Sequence, residues 1–139
     1  MSDAATTTLR AAAITRLQAD AGVQATAMGS SPRVFNRVRG NPKFPYIVLT
    51  VTEQPWDTTG DRGSELELML HVLGEYQGDA EGEAILAASL RCLRDWAPQA
   101  LSDHRLVTLI CKHTSRIHPE EDGKRYFGAQ RWRATMEES

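Results

Sequence analysis

Cysteine is scarce in this chain: Cys92 and Cys111 are the only two in 139 residues, and they form no CxxC pair. That excludes a disulfide framework and the paired-thiolate metal and redox motifs, and leaves two reduced core thiols as the expectation. No apolar run approaches the ~20 residues of a membrane span, and no basic segment followed by an apolar core opens the sequence. No membrane association is expected, and the cytoplasm where the protein is made is its expected location. Aromatic residues make up 6% and the formal net charge is -2, so neither a base-stacking surface nor a global positive field for nucleic acid is in evidence. GxSxG, Walker-type and GxGxxG patterns are all missing, which removes the usual nucleophile and phosphate-cradle chemistries.

What the chain does have is a pair of strand-like runs around one turn. Residues 44–52, FPYIVLTVT, are almost continuously apolar and β-branched, as in a strand covered on both faces. After the connection 53–60, the run from Gly63 to Val72 alternates. Leu66, Leu68, Leu70 and Val72 point one way, and Glu65, Glu67, Met69 and His71 the other.

The remaining elements follow in order. Thr6 to Asp20 reads as a helix with Leu9, Ile14, Leu17 and the alanines at 11–13 as its apolar stripe. A threonine at 6, 7 or 8 is expected to cap its start, and Gly22 to take the left-handed position past its end. Gly29 to Pro42 reads as a loop with a short strand at Arg33 to Val38. Asp79 is expected to cap a second helix running to about Trp96, with Ile85, Leu86, Leu90, Leu93 and Trp96 buried and Pro98 as the stop. Arg105 to Lys112 and Arg125 to Met136 read as strands, the latter alternating Tyr126, Gly128, Gln130 and Trp132 against Phe127, Ala129, Arg131 and Arg133. The expected fold is one α+β domain over 1–139, with 1–5 and 137–139 as flexible ends. It is a mostly antiparallel sheet flanked by two main helices in the order α-β-β-β-α-β-β.

This succession resembles the tail terminator, or tail-completion, family of long-tailed phages and phage-like gene transfer agents. The resemblance rests on "FPYIVL…PWDT…GSELELMLHV", the "HV…Y.G…A..I" passage and the "DG…Y.G..R.RA" ending. It implies a structural role in virion assembly, with no enzymatic activity and no cofactor. Such proteins form a ring, usually of six copies, on the completed tail tube. The ring stops tube polymerisation, forms the tail side of the head–tail joint, and leaves a channel for DNA. The implied partners are further copies of the chain, the tail tube protein and a head completion or stopper protein, with DNA only in transit. The implied destination is the head–tail junction of the particle.

Charge supplies the candidate interface. Arg33, Arg37, Arg39 and Lys43 form a basic loop with no acid among them, whereas 53–83 is acidic against Arg62 alone. Trp56 and Asp57 sit at the hairpin connection, where an aromatic can fill a partner's pocket. Glu65 and Glu67 share one strand face and Arg131 and Arg133 another. They pair within the subunit if the strands are neighbours, and otherwise across a subunit boundary.

Two other function classes were weighed. A metal or hydrolytic site would draw on His104, His113, His118, Asp103, Glu120, Glu121 and Asp122, but their spacings match no ligand pattern. His104 and the acids read as turn residues. A small nucleic-acid-binding or regulatory module is the alternative, supported by the basic loop and by Arg125, Arg131 and Arg133.

Overall fold

In the computed structural model, residues 2–54, 63–101 and 104–138 are described. Helix α1 spans Ser2–Ala19 and a one-turn helix α2 Ala21–Gln24. Strands β1 (Val34–Phe35), β2 (Tyr46–Gln54) and β3 (Gly63–Glu75) precede helix α3 (Ala80–Arg94). Strands β4 (Gln99–Leu101), β5 (His104–Thr114), β6 (His118–Pro119) and β7 (Arg125–Glu138) follow. The fold is α+β: the strands form one mixed sheet in the order β1-β2-β3-β7-β5-β4, with β6 beside β7. Only the β1–β2 pairing is parallel.

The centre of the sheet is the β3–β7 ladder, an antiparallel register of thirteen residue pairs from Gly63↔Glu137 to Glu75↔Arg125. Alternation puts Leu66, Leu68, Leu70 and Val72 on the same face as Tyr126, Trp132, Ala134 and Met136, all buried. Ile47, Leu49 and Val51 of β2 and Leu106 and Leu109 of β5 extend that face. Leu9, Ala13 and Leu17 of α1 and Ile85, Leu86, Ala88 and Leu93 of α3 cover it. Both main helices therefore occupy one side, and the other side of the sheet carries no helix among the described residues.

Several sequence expectations change. Helix α1 begins at Ser2, so Thr6, Thr7 and Thr8 lie within it and do not cap it. Gly22 lies inside α2, whose N-cap is Asp20, with its side chain accepting from the Val23 amide at 3.0 Å. Asp79 precedes α3 without a side-chain cap bond, because its carboxylate accepts from the Tyr76 hydroxyl at 3.2 Å. Strand β2 is not covered on both faces: Thr50 and Thr52 are exposed, and only its first residue gains a second cover, from Phe35 and Phe44 against Tyr46. His104 opens β5 and is buried, instead of sitting in a turn.

Two polar devices lock the layers. The buried Gln130 amide donates to the Leu86 carbonyl at 3.2 Å and accepts from Trp132 Nε1 at 2.8 Å, so β7 meets α3 in one registration. Tyr126 donates its hydroxyl to Glu81 Oε1 at 2.8 Å. Its ring needs glycine on both sides: a Cβ at Gly74 would overlap the ring, and one at Gly82 would stand 2.9 Å from its Cε1. The helices are tied to each other by Arg16. Its Nε donates to the Cys92 carbonyl at 2.9 Å and its guanidinium lies 5.5 Å from the Trp96 ring centroid. Burial, aided by the Asp20 carboxylate, pushes the Cys92 thiol up to about 11. Cys92 is thus a core thiol as expected, whereas Cys111 is only half-buried.

Two outcomes follow. Gly74→Ala should destabilise the fold by ~1–3 kcal/mol, more than the ~1 kcal/mol lost in Tyr126→Phe, as read by thermal unfolding. At pH 8 an alkylating reagent should label Cys111 and spare Cys92. The folded Cys92 thiol stays protonated there, and adding denaturant should expose it to labelling; modification of Cys92 in the native protein at the rate of Cys111 would contradict its burial.

Candidate assembly surface

The helix-free face of the sheet carries four of the candidate residues, Glu65, Glu67, Arg131 and Arg133. Across it run Thr50, Met69 and Arg131 in one row and Thr52, Glu67, Arg133 and Ile110 in the next. Glu65 pairs with Arg133 at 2.9 Å and Glu67 with Arg131 at 3.7 Å, diagonally across the β3–β7 ladder. The intrasubunit pairing is therefore the one realised. Such part-exposed pairs contribute at most ~1 kcal/mol each, since the Arg131 and Arg133 side chains remain 52% and 55% exposed.

At the other end the same face is aromatic. Phe44 stacks on Tyr46 at 5.4 Å, Arg125 lies 5.8 Å from the Phe44 centroid, and His118 stacks on Phe127 at 5.3 Å. Phe127 is 41% exposed, and with Val38 at 36% and Ile110 at 54% is one of three exposed large apolar side chains among the described residues. The sequence reading did not single these out. The signal was present for Phe127, because the alternation of 125–136 puts it on the face of Arg131 and Arg133.

The basic loop divides in two. Arg33 is a structural clamp: its Nε donates to the carbonyls of Lys43 at 2.8 Å and Pro45 at 3.1 Å, and its Nη2 to that of Phe44 at 3.3 Å. Arg37, Arg39 and Lys43 are exposed. Trp56 and Asp57 lie outside the described residues.

No group of three or more His, Cys, Asp or Glu side chains able to hold a metal ion is found among the described residues. His113 pairs with Arg131 and His118 with Phe127, four residues apart on β7, hence ~13 Å along the strand. His104 is 6% exposed, and its Nδ1 has no hydrogen-bond partner among the described residues. A shallow groove of about 800 Å³ runs between α1 and 96–101, lined by Thr8, Ala11, Thr15, Trp96 and Leu101 among others. Its one arginine, Arg16, is already engaged with Cys92 and Trp96. No helix among the described residues is long and apolar enough to cross a membrane.

Among the described residues the sheet thus has one face covered by helices and one without, the latter carrying ion pairs and exposed aromatics. Residues 11–137 match the family described as Tail completion protein gp17, and the chain belongs to that family. The fold is similar to a chain in the structure titled "Virion of native gene transfer agent (GTA) particle". The TM-score is 0.78 at 25% sequence identity, covering 93% of this chain and 94% of that one. No match was found among curated proteins. The protein is a structural protein of the phage tail-completion type.

Because Glu65–Arg133 and Glu67–Arg131 close within the subunit, replacing all four by glutamine should lower stability by no more than ~2 kcal/mol, less so in high salt. Urea unfolding at two salt concentrations measures this, and a loss far above that figure would mean that the pairs act in a buried setting.

Proposed function

We propose that this protein forms the ring that caps a completed tail tube, ends its polymerisation and supplies the tail side of the head–tail joint. The observation that carries the reading is the tail-completion family match over 11–137, supported by likeness to a chain of a gene transfer agent particle along nearly the whole fold. The physical make-up suits the task. The sheet has two lateral edges, β1 and β4, and one uncovered face. A head-to-tail contact between such unlike surfaces closes a ring when the rotation per copy divides the circle. Six copies are the number that the resemblance implies.

The partners are then further copies of the chain, the last ring of tube protein, and the head completion or stopper protein. DNA crosses the central channel in transit, and a net charge of -2 gives it no global positive field to stick to. The protein works by contact and not by catalysis. It assembles in the host cytoplasm and ends in the particle at the head–tail junction.

Imaging particles made with and without the protein tests this directly. Its loss should give overlong tails, or tails and heads left unjoined. Normal particles in normal numbers would overturn the reading.

A further inference from the structure

Two surface sets of opposite charge follow the short edge strands β1 and β6, which flank the same end of the sheet on opposite edges. Strand β2 starts at that end, β3 and β6 finish there, and β7 starts there. Across that end the strand order is β1-β2-β3-β7-β6, because β6 takes the place beside β7 beyond the last β5 pair, Thr114↔Gln130. On the β1 edge the connection to β2 presents Arg37, Val38 and Arg39, all exposed. Arg33 holds the base of that loop rigid through the carbonyls of 43–45. On the β6 edge Pro119, Glu120, Glu121, Asp122 and Phe127 line a shallow cavity of about 490 Å³ whose lining contains no cation. Phe127 is fixed there by its stack on His118.

The two sets are complementary in kind: an exposed valine between arginines, and an exposed phenylalanine beside carboxylates. Four strand spacings of ~4.8 Å separate the two edges, roughly 19 Å, beyond salt-bridge reach within one subunit. None of Arg37, Arg39, Glu120 and Glu121 makes a side-chain ion pair among the described residues. Lys124 and Arg125 follow the acidic turn, but Arg125 is drawn over the Phe44 ring. A patch of each sign on opposite edges is what a head-to-tail contact between neighbours in a ring requires.

We propose that the Arg37–Val38–Arg39 loop of one copy docks on the Phe127 patch of the next, with Val38 against Phe127 and the arginines on Glu120 and Glu121. This names the contact within the ring and rests on the ring reading above. Self-association is the readout, using the full-length protein by sedimentation, with folding checked by circular dichroism. The basic-edge variant Arg37→Glu/Arg39→Glu and the acidic-edge variant Glu120→Lys/Glu121→Lys should each lose at least tenfold in association. The variant carrying all four changes should regain it. So should a mixture of the two single-edge variants, since each then offers the edge that the other lacks. Association of either single-edge variant at the wild-type level, or no recovery in both the combined variant and the mixture, overturns the proposal.

Should the isolated wild type stay monomeric, the readout moves to assembled particles. There Val38→Cys and Phe127→Cys together should link adjacent copies into ladders under oxidising conditions, and no link between copies overturns the proposal. The two readings fail separately. Normal association of the charge-reversed variants alongside headless tails in the protein's absence removes only the contact. Reversal and rescue of association alongside normal particles in its absence removes only the tail role.

Discussion

The register of β3 against β7 is the constraint on which the rest of the fold depends. It aligns Val72 with Gly128, Leu70 with Gln130, Leu68 with Trp132 and Leu66 with Ala134, so that the small residues Gly128 and Ala134 flank the large Gln130 and Trp132. A slip of β3 by one residue would turn Glu65 and Glu67 into the core and its leucines out to water, and a slip of β7 would do the same with Arg131 and Arg133 against Trp132. Both faces vote for the same alignment. Inside, Gln130 finds its partners only when β7 lies in this position under α3. Outside, the two diagonal ion pairs close only in this register. The polar contacts add little to net stability but penalise the alternatives, which is where a half-satisfied buried amide costs most.

From that register follows the asymmetry of the molecule. All the inward positions of β2, β3, β5 and β7 fall on one side, and that side is taken by α1 and α3. Arg16 ties the two helices together, and Tyr126 with its flanking glycines ties α3 to the sheet. With 139 residues and two long helices, both spent on the same face, the opposite face stays bare. A two-layer domain of this kind leaves a broad surface and two sheet edges open to neighbours.

Much of this was legible in the sequence because period-two alternation survives tertiary packing. The inward sets of 66–72 and 126–132, the second helix, and the pairing of Glu65 and Glu67 with Arg131 and Arg133 all rest on side-chain direction, which backbone geometry fixes. The misreadings share a different cause. Asp79 and the threonines at 6–8 have capping chemistry, but whether they cap depends on neighbours: Tyr76 takes the Asp79 carboxylate, and the first helix starts earlier than its polar residues suggest. His104 reads as a turn residue because with Asp103 it stands just before a strand-like run, and its burial comes from the strand that it opens. Strands of two or three residues, such as β4 and β6, are too short to carry a period at all.

The same limit separates informative charges from uninformative ones. By composition Arg33 and Arg37 are alike, as are Glu65 and Glu120. The fold sorts them: Arg33 is consumed by three carbonyls and Glu65 by Arg133, while exposed Arg37 and half-buried Glu120 make no side-chain ion pair among the described residues. A charge satisfied within its own subunit supports that subunit's shape. Charges of opposite sign left unsatisfied on edges too far apart to meet can act only between copies. The contact proposed above draws on that remainder of unpaired charge, which becomes visible only once register and edge order are known.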